Sequence, residues 1–227
     1  MTTIIYKNGK LYADSRVTYF RQEEDGTKVL DSVVNDVQKI IEPDNLYIGN
    51  RKVLALACAG DIAWTKYCTA MDQEAAKHGE SLDILNKDFY SSMSLFAGFD
   101  TQMIAVTPSR VFLITFQFLN MTYQEVIPTS WIVIGSGVEN IPNLGDTVLN
   151  VSAEIGMADA IMHDEGTGGP VSFWRYGRKG VRTLELNAEY SSFTRKMVRK
   201  LRTLRNIKDV CSIIKARIKV YPKAQYA

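Results

Sequence analysis

Histidine and cysteine are scarce in this 227-residue chain, at two and three residues, and their placement excludes several chemistries. Cys58, Cys68 and Cys211 are odd in number and stand in apolar or helical-looking stretches rather than at metal-ligand spacing. That argues against a disulfide framework or a zinc site and for buried thiols. Neither His78 nor His163 stands in a hydrolase triad motif, and G-x-S-x-G, H-E-x-x-H and the phosphate-binding P-loop are all missing. His163, beside Asp164 at the end of a predicted helix, is explained by the negative helix terminus alone. Long apolar runs are missing too. The longest, such as Val111 to Phe116 and Trp131 to Ile134, have strand length, far below the roughly 20 residues of a membrane-spanning helix. No basic stretch leads into an apolar one at the N-terminus, so no secretion signal is expected and a cytoplasmic protein is the default.

Acids are nearly absent from the end of the chain. Eleven of the 27 Lys and Arg residues, but only Asp209 of the 25 acids, fall between Tyr190 and Ala227, which leaves the first 189 residues at −8 although the whole chain is +2. An acidic body with a basic extension is expected, the extension being amphipathic: Phe193, Met197, Val198, Leu201 and Leu204 recur at helical spacing between basic residues. A solvated helical face or contact with a neighbouring subunit is favoured over nucleic-acid binding. With 46% hydrophobic residues, the rest suffices for one globular domain, 1–189.

The chain opens on two strand-like runs, 2–6 and 10–13, around Asn8-Gly9, which supplies the positive φ angles of a tight hairpin. A polar loop around Glu23 to Lys28 follows, then strand-like runs at Val37 to Ile41, Leu46 to Ile48 and Val53 to Cys58. Ala59-Gly60-Asp61 turns into a helix over Ile62 to His78, and a second helix is predicted over Leu82 to Ala97. Gln102 to Val106, Val111 to Leu119 and Trp131 to Ile134 read as strands, Leu144 to His163 as a helix, and Val171 to Tyr176 and Val181 to Leu186 as a closing strand pair. Runs of strands and runs of helices in this order predict an α+β layered domain.

Thr2 is the candidate nucleophile. Its small side chain permits removal of Met1, which leaves an α-amine beside a hydroxyl. An amine with an ordinary pKa near 8 is partly neutral at physiological pH and can take its own hydroxyl's proton.

Five segments in order resemble the proteasome β-subunit and HslV peptidase family, a group of N-terminal nucleophile (Ntn) hydrolases. These are Thr2-Thr3-Ile4 with Asn8-Gly9 and Ala13-Asp14-Ser15-Arg16-Val17-Thr18; Lys39-Ile40; Ala59-Gly60 before a helix; Ile134-Gly135-Ser136-Gly137; and Asp164-Glu165-Gly166-Thr167-Gly168-Gly169 before a strand. The spacing from Thr2 to Asp14 is shorter than in the best-known members, and Thr167 stands where serine is usual. The resemblance implies a four-layer αββα sandwich with two antiparallel sheets between helices. It also implies that Asp14 and Lys39 meet under Thr2 and favour its deprotonation. Gly60 would offer its N–H to the tetrahedral oxyanion, while Ser136, Asp164 and Thr167 fix the Thr2 amine and hydroxyl. The function implied is threonine-type hydrolysis of peptides or unfolded protein without metal or organic cofactor, in a homo-oligomeric ring or spiral, with a separate unfolding ATPase as a further partner. A small-amide amidase, and a scaffold or inhibitor that kept the fold and lost turnover, are the alternatives.

Overall fold

The computed structural model describes residues 2–91, 100–117, 120–129, 131–136, 153–164 and 166–184. The first hairpin forms as expected: β1 (Thr3–Lys7) and β2 (Lys10–Asp14) pair with Ile4 opposite Ala13, and Asn8 and Gly9 take φ of 49° and 73° at the turn. Each strand of the pair finds a second partner far along the chain. β13 (Trp131–Gly135) lies against β1 with Thr3 opposite Gly135, and β14 (Val171–Arg175) lies against β2 with Val171 opposite Asp14. β15 (Arg182–Leu184) completes a five-stranded antiparallel sheet in the order β13-β1-β2-β14-β15.

A second five-stranded antiparallel sheet, β12-β11-β10-β8-β5, is built from β12 (Asn120–Val126), β11 (Val111–Gln117), β10 (Thr101–Val106), β8 (Ala55–Ala59) and β5 (Ile40–Ile41). Residues alternate between its faces with the period of two that a strand imposes. Ala55, Ala57 and Ala59 of β8 join Ile4, Tyr6, Leu11 and Ala13 of the first sheet in one buried cluster, which marks the inner faces. Leu56 and Cys58 turn the other way, onto a cluster with Trp64 and Cys68 of α1 (Ala63–His78). On the first sheet, Ile5 and Tyr12 likewise turn outward to Ala153 and Met157 of α3 (Ala153–His163). The alanines on β8 let the two sheets approach closely where the site lies.

The four-layer αββα expectation is corrected. Among the described residues strand far outweighs helix and is almost all antiparallel, a β-rich fold in which α1 and α3 are the only helices of any length. Segments assigned to helix or loop account for the difference. Leu82–Asp83 (β9) pairs in parallel with Leu46–Ile48 (β6), itself paired with Arg51–Lys52 (β7), and only Lys87–Ser91 (α2) of the predicted second helix is helical among the described residues. The polar loop around Glu23 to Lys28 is the connection of a two-stranded ribbon, Val17–Gln22 (β3) and Lys28–Val34 (β4), whose strands were not expected, and β12 is likewise an unforeseen strand. The start of the predicted helix from Leu144 and the extension from 190 to 227 lie outside the described residues. No helix among the described residues is long and apolar enough to cross a membrane.

Candidate active site

The register of the first sheet gathers residues from its distant parts at one end. Pairing of Thr3 with Gly135 sets Ser136, just past β13, beside Thr2, just before β1. Pairing of Val171 with Asp14 sets Asp164 and residues 166–170 beside both. Lys39 enters from the other sheet, immediately before β5, whose Ile40 pairs with Ala57. Close approach requires glycine at one point: Gly135 has φ of +94°, and a Cβ there would stand 2.0 Å from the Thr2 carbonyl oxygen.

Lys39 is 1% exposed, and each ammonium proton has a taker. Its Nζ donates to Thr2 Oγ1 at 2.6 Å, to Asp14 Oδ1 at 2.9 Å and to the Arg16 carbonyl. Asp14, fully buried, accepts three backbone N–H groups besides: Thr3 on Oδ1 at 2.9 Å, and Arg16 and Gly168 on Oδ2, both at 3.1 Å. A buried ion pair tolerates burial only when its remaining polar atoms are satisfied in this way. Desolvation nonetheless pushes the Lys39 pKa below that of an ordinary lysine, with the Asp14 carboxylate opposing. The same desolvation raises Asp14, opposed by Lys39 and by the N–H donors of Thr3 and Gly168. The result is an ammonium against a threonine hydroxyl that gives up its proton more readily than a lysine in water.

A second hydrogen-bonded chain holds the other side of Thr2. The Thr2 backbone N–H donates to Ser136 Oγ at 3.2 Å, and Ser136 Oγ donates to Asp164 Oδ2 at 2.7 Å. Thr167 Oγ1 donates to the same oxygen at 2.6 Å and lies 2.6 Å from Thr3 Oγ1. The other carboxylate oxygen, Asp164 Oδ1, accepts the Gly166 N–H at 3.0 Å.

Thr2, Asp14, Lys39, Ser136, Asp164 and Thr167 are thus brought together. Gly60 stands outside the hydrogen-bonded chains but, with Thr2, lines two adjoining cavities of about 490 and 260 Å³. It requires the absence of a side chain: φ is +118°, and a Cβ would meet the Asp100 carbonyl at 2.6 Å. Gly137 lies outside the described residues. Sequence reasoning missed Thr3 and Arg16, whose contributions are largely backbone groups, and Gly135 and Gly168 as tight contacts; all four stand in segments already singled out. No group of three or more metal-ligating side chains occurs among the described residues. No protein-family model matches the chain, and no curated protein matches it.

Proposed function

We propose that the protein is a threonine-type peptide hydrolase of the N-terminal nucleophile kind, related to the proteasome β-subunits and HslV. The observation that carries this reading is the 2.6 Å contact between Lys39 Nζ and Thr2 Oγ1, made inside a buried ion pair and opening on a cavity. A purely structural threonine does not need a lysine desolvated beneath it.

The steps follow from the groups at hand. Cleavage of the Met1–Thr2 bond frees the Thr2 α-amine at the atom that now donates to Ser136. The amine takes the Thr2 hydroxyl proton as Oγ1 attacks the substrate carbonyl carbon, while the Lys39 charge stabilises the forming alkoxide. The oxyanion is received by the Gly60 N–H. Collapse of the adduct expels the amine half of the peptide, which takes the proton from the α-amine, and leaves an ester on Thr2. Water, deprotonated by the same amine, hydrolyses that ester. Asp14 keeps Lys39 charged and oriented; Ser136, Asp164 and Thr167 hold the amine.

Turnover of a panel of fluorogenic peptides by the wild type and Thr2→Ala tests this reading. Hydrolysis by the wild type and its loss in a folded Thr2→Ala protein are expected. Undiminished hydrolysis in Thr2→Ala would end the mechanism.

A further inference from the structure

The β3–β4 ribbon is built for a partner. It is a sheet of two strands only, and such a pair alone is at best marginally stable in water. Its apolar residues point both ways: Tyr19 and Phe20 are consecutive on one strand, Val33 and Val34 on the other, so each pair straddles the two faces. No packing against the body can bury both faces, and the side chains are accordingly open, Phe20 at 47% and Leu30 at 56% exposure. An apolar surface of this kind marks an interaction site. Its charge says which. The ribbon carries Glu23, Glu24, Asp25 and Asp31 against Arg21 and Lys28, a net −2, with Glu23 already paired to Arg21. Elsewhere in the same sequence, 190–227 combines an apolar stripe at helical spacing, Phe193, Met197, Leu201 and Leu204, with a net charge of +10.

We infer that the β3–β4 ribbon of one chain is the docking site for the basic segment 190–227 of a second copy. The apolar stripe covers Phe20 and Leu30, and the basic residues meet the acidic turn at Glu24 and Asp25. Docking there reaches the candidate active site. Val17 to Gln22 form one wall of the larger cavity at Thr2, and the ribbon is tied at its root, where Val37 N–H donates to the Ser15 carbonyl and Asp36 N–H to Ser15 Oγ. Arg16, whose carbonyl holds Lys39, directly precedes the ribbon. Its partner therefore covers the cavity wall. The inference stands whether or not Thr2 is a nucleophile, because its readout is mass.

Two full-length variants test it: a ribbon variant, Glu23→Lys with Glu24→Lys and Asp25→Lys, and a tail variant, Arg199→Glu with Lys200→Glu, Arg202→Glu and Arg205→Glu. All the ribbon positions are exposed, and circular dichroism checks that each protein folds. By light scattering the wild type is expected at a multiple of the 25.5 kDa chain mass, and each variant alone near the chain mass. An equimolar mixture of the two variants is expected to regain the wild-type mass, because the introduced lysines of one ribbon meet the introduced glutamates at 199–205 of the other chain's tail, while the unaltered ribbon meets the unaltered tail. Tail and ribbon of the same chain gain nothing by mixing, so a mixture that stays at chain mass overturns the inference. A wild type at chain mass, or variants that keep the wild-type mass, overturn it equally, as does a monomeric wild type that retards a DNA duplex. Should either charge variant lose its fold, Leu30→Ser replaces the ribbon variant. It is expected to lower the assembly mass, and an unchanged mass overturns the inference.

Discussion

Lys39 and Asp14 form an ion pair that is unequally supported from its two ends. Remove the lysine, and the carboxylate keeps the N–H groups of Thr3, Arg16 and Gly168; remove the carboxylate, and the ammonium keeps only a hydroxyl and a carbonyl. Asp14→Ala should therefore cost about 3–5 kcal/mol of stability, the penalty of an unpaired buried charge, and Lys39→Met clearly less. Urea denaturation of the two variants checks the order. Equal losses would mean that the backbone donors contribute little.

Lys39→Met should also change how stability depends on pH. Asp14 already has its pKa raised above 3.8 by burial, and loss of the lysine removes the strongest opposing influence and raises it further. A carboxyl with a higher pKa in the folded state holds a proton that the unfolded chain has released. Stability then falls as pH rises from the ordinary carboxyl value through the folded one. Lys39→Met should lose more stability than the wild type as pH rises above the ordinary carboxyl value, as read from melting temperatures across an acidic-to-neutral series. A parallel profile for the two proteins would contradict the assignment.

In catalysis the same lysine should matter out of proportion to its effect on the fold. Lys39→Met is expected to lower kcat at least about 100-fold, the lower end for a group that stabilises the charge developing on the nucleophile. The circular dichroism spectrum should be nearly unchanged. Retention of most of kcat would assign the essential charge elsewhere.

Thr167 separates the hydroxyl from the methyl. Thr167→Ser keeps the donor to Asp164 and the contact with Thr3, and should behave as the wild type in both stability and rate. Thr167→Val leaves Asp164 Oδ2 with Ser136 Oγ as its remaining donor and strands the buried Thr3 hydroxyl, at about 1–3 kcal/mol. Thermal melts and peptide turnover on the three proteins decide whether this hydrogen bond or the shape of the side chain is what counts.

Glycine substitutions should divide by what they strike. Gly135→Ala drives a Cβ into the backbone carbonyl of Thr2 at a φ of +94°, so the strand end must move and Thr2 with it. Gly168→Ala meets the half-buried Arg16 guanidinium, the far end of a side chain that can swing away. A large loss of melting temperature and turnover in the first, and a small one in the second, is the expected pattern.

Parts of this architecture are written locally in the sequence and parts are not. The Asn8-Gly9 turn and α1 were legible, because positive φ preference and a one-sided apolar stripe are properties of neighbouring residues. The ribbon was not: with apolar residues at consecutive positions and both faces open, no buried side imposes an alternation to read. β12 is mostly exposed and owes its form to the ladder it makes with β11. Leu82 and Asp83 are drawn into strand by Leu46 and Tyr47, a partner that periodicity cannot reveal. These non-local pairings turned the expected balance of helix and strand toward a β-rich fold. At the site, the side chains could be named because ordered short motifs mark them. The backbone donors and acceptors of Thr3, Arg16 and Gly168 carry no such mark, since every residue has them.

The central claim is that Thr2 is a free N-terminal nucleophile activated over Lys39. Its most direct test is the intact mass of the purified protein before and after exposure to a threonine-directed β-lactone, with fragmentation to locate the adduct. The expected result is a chain that begins at Thr2, gains one inhibitor mass on that residue, and gains none when Lys39 is methionine. A chain that keeps Met1 and takes up no inhibitor, or one modified on Cys58 instead of Thr2, would contradict the account.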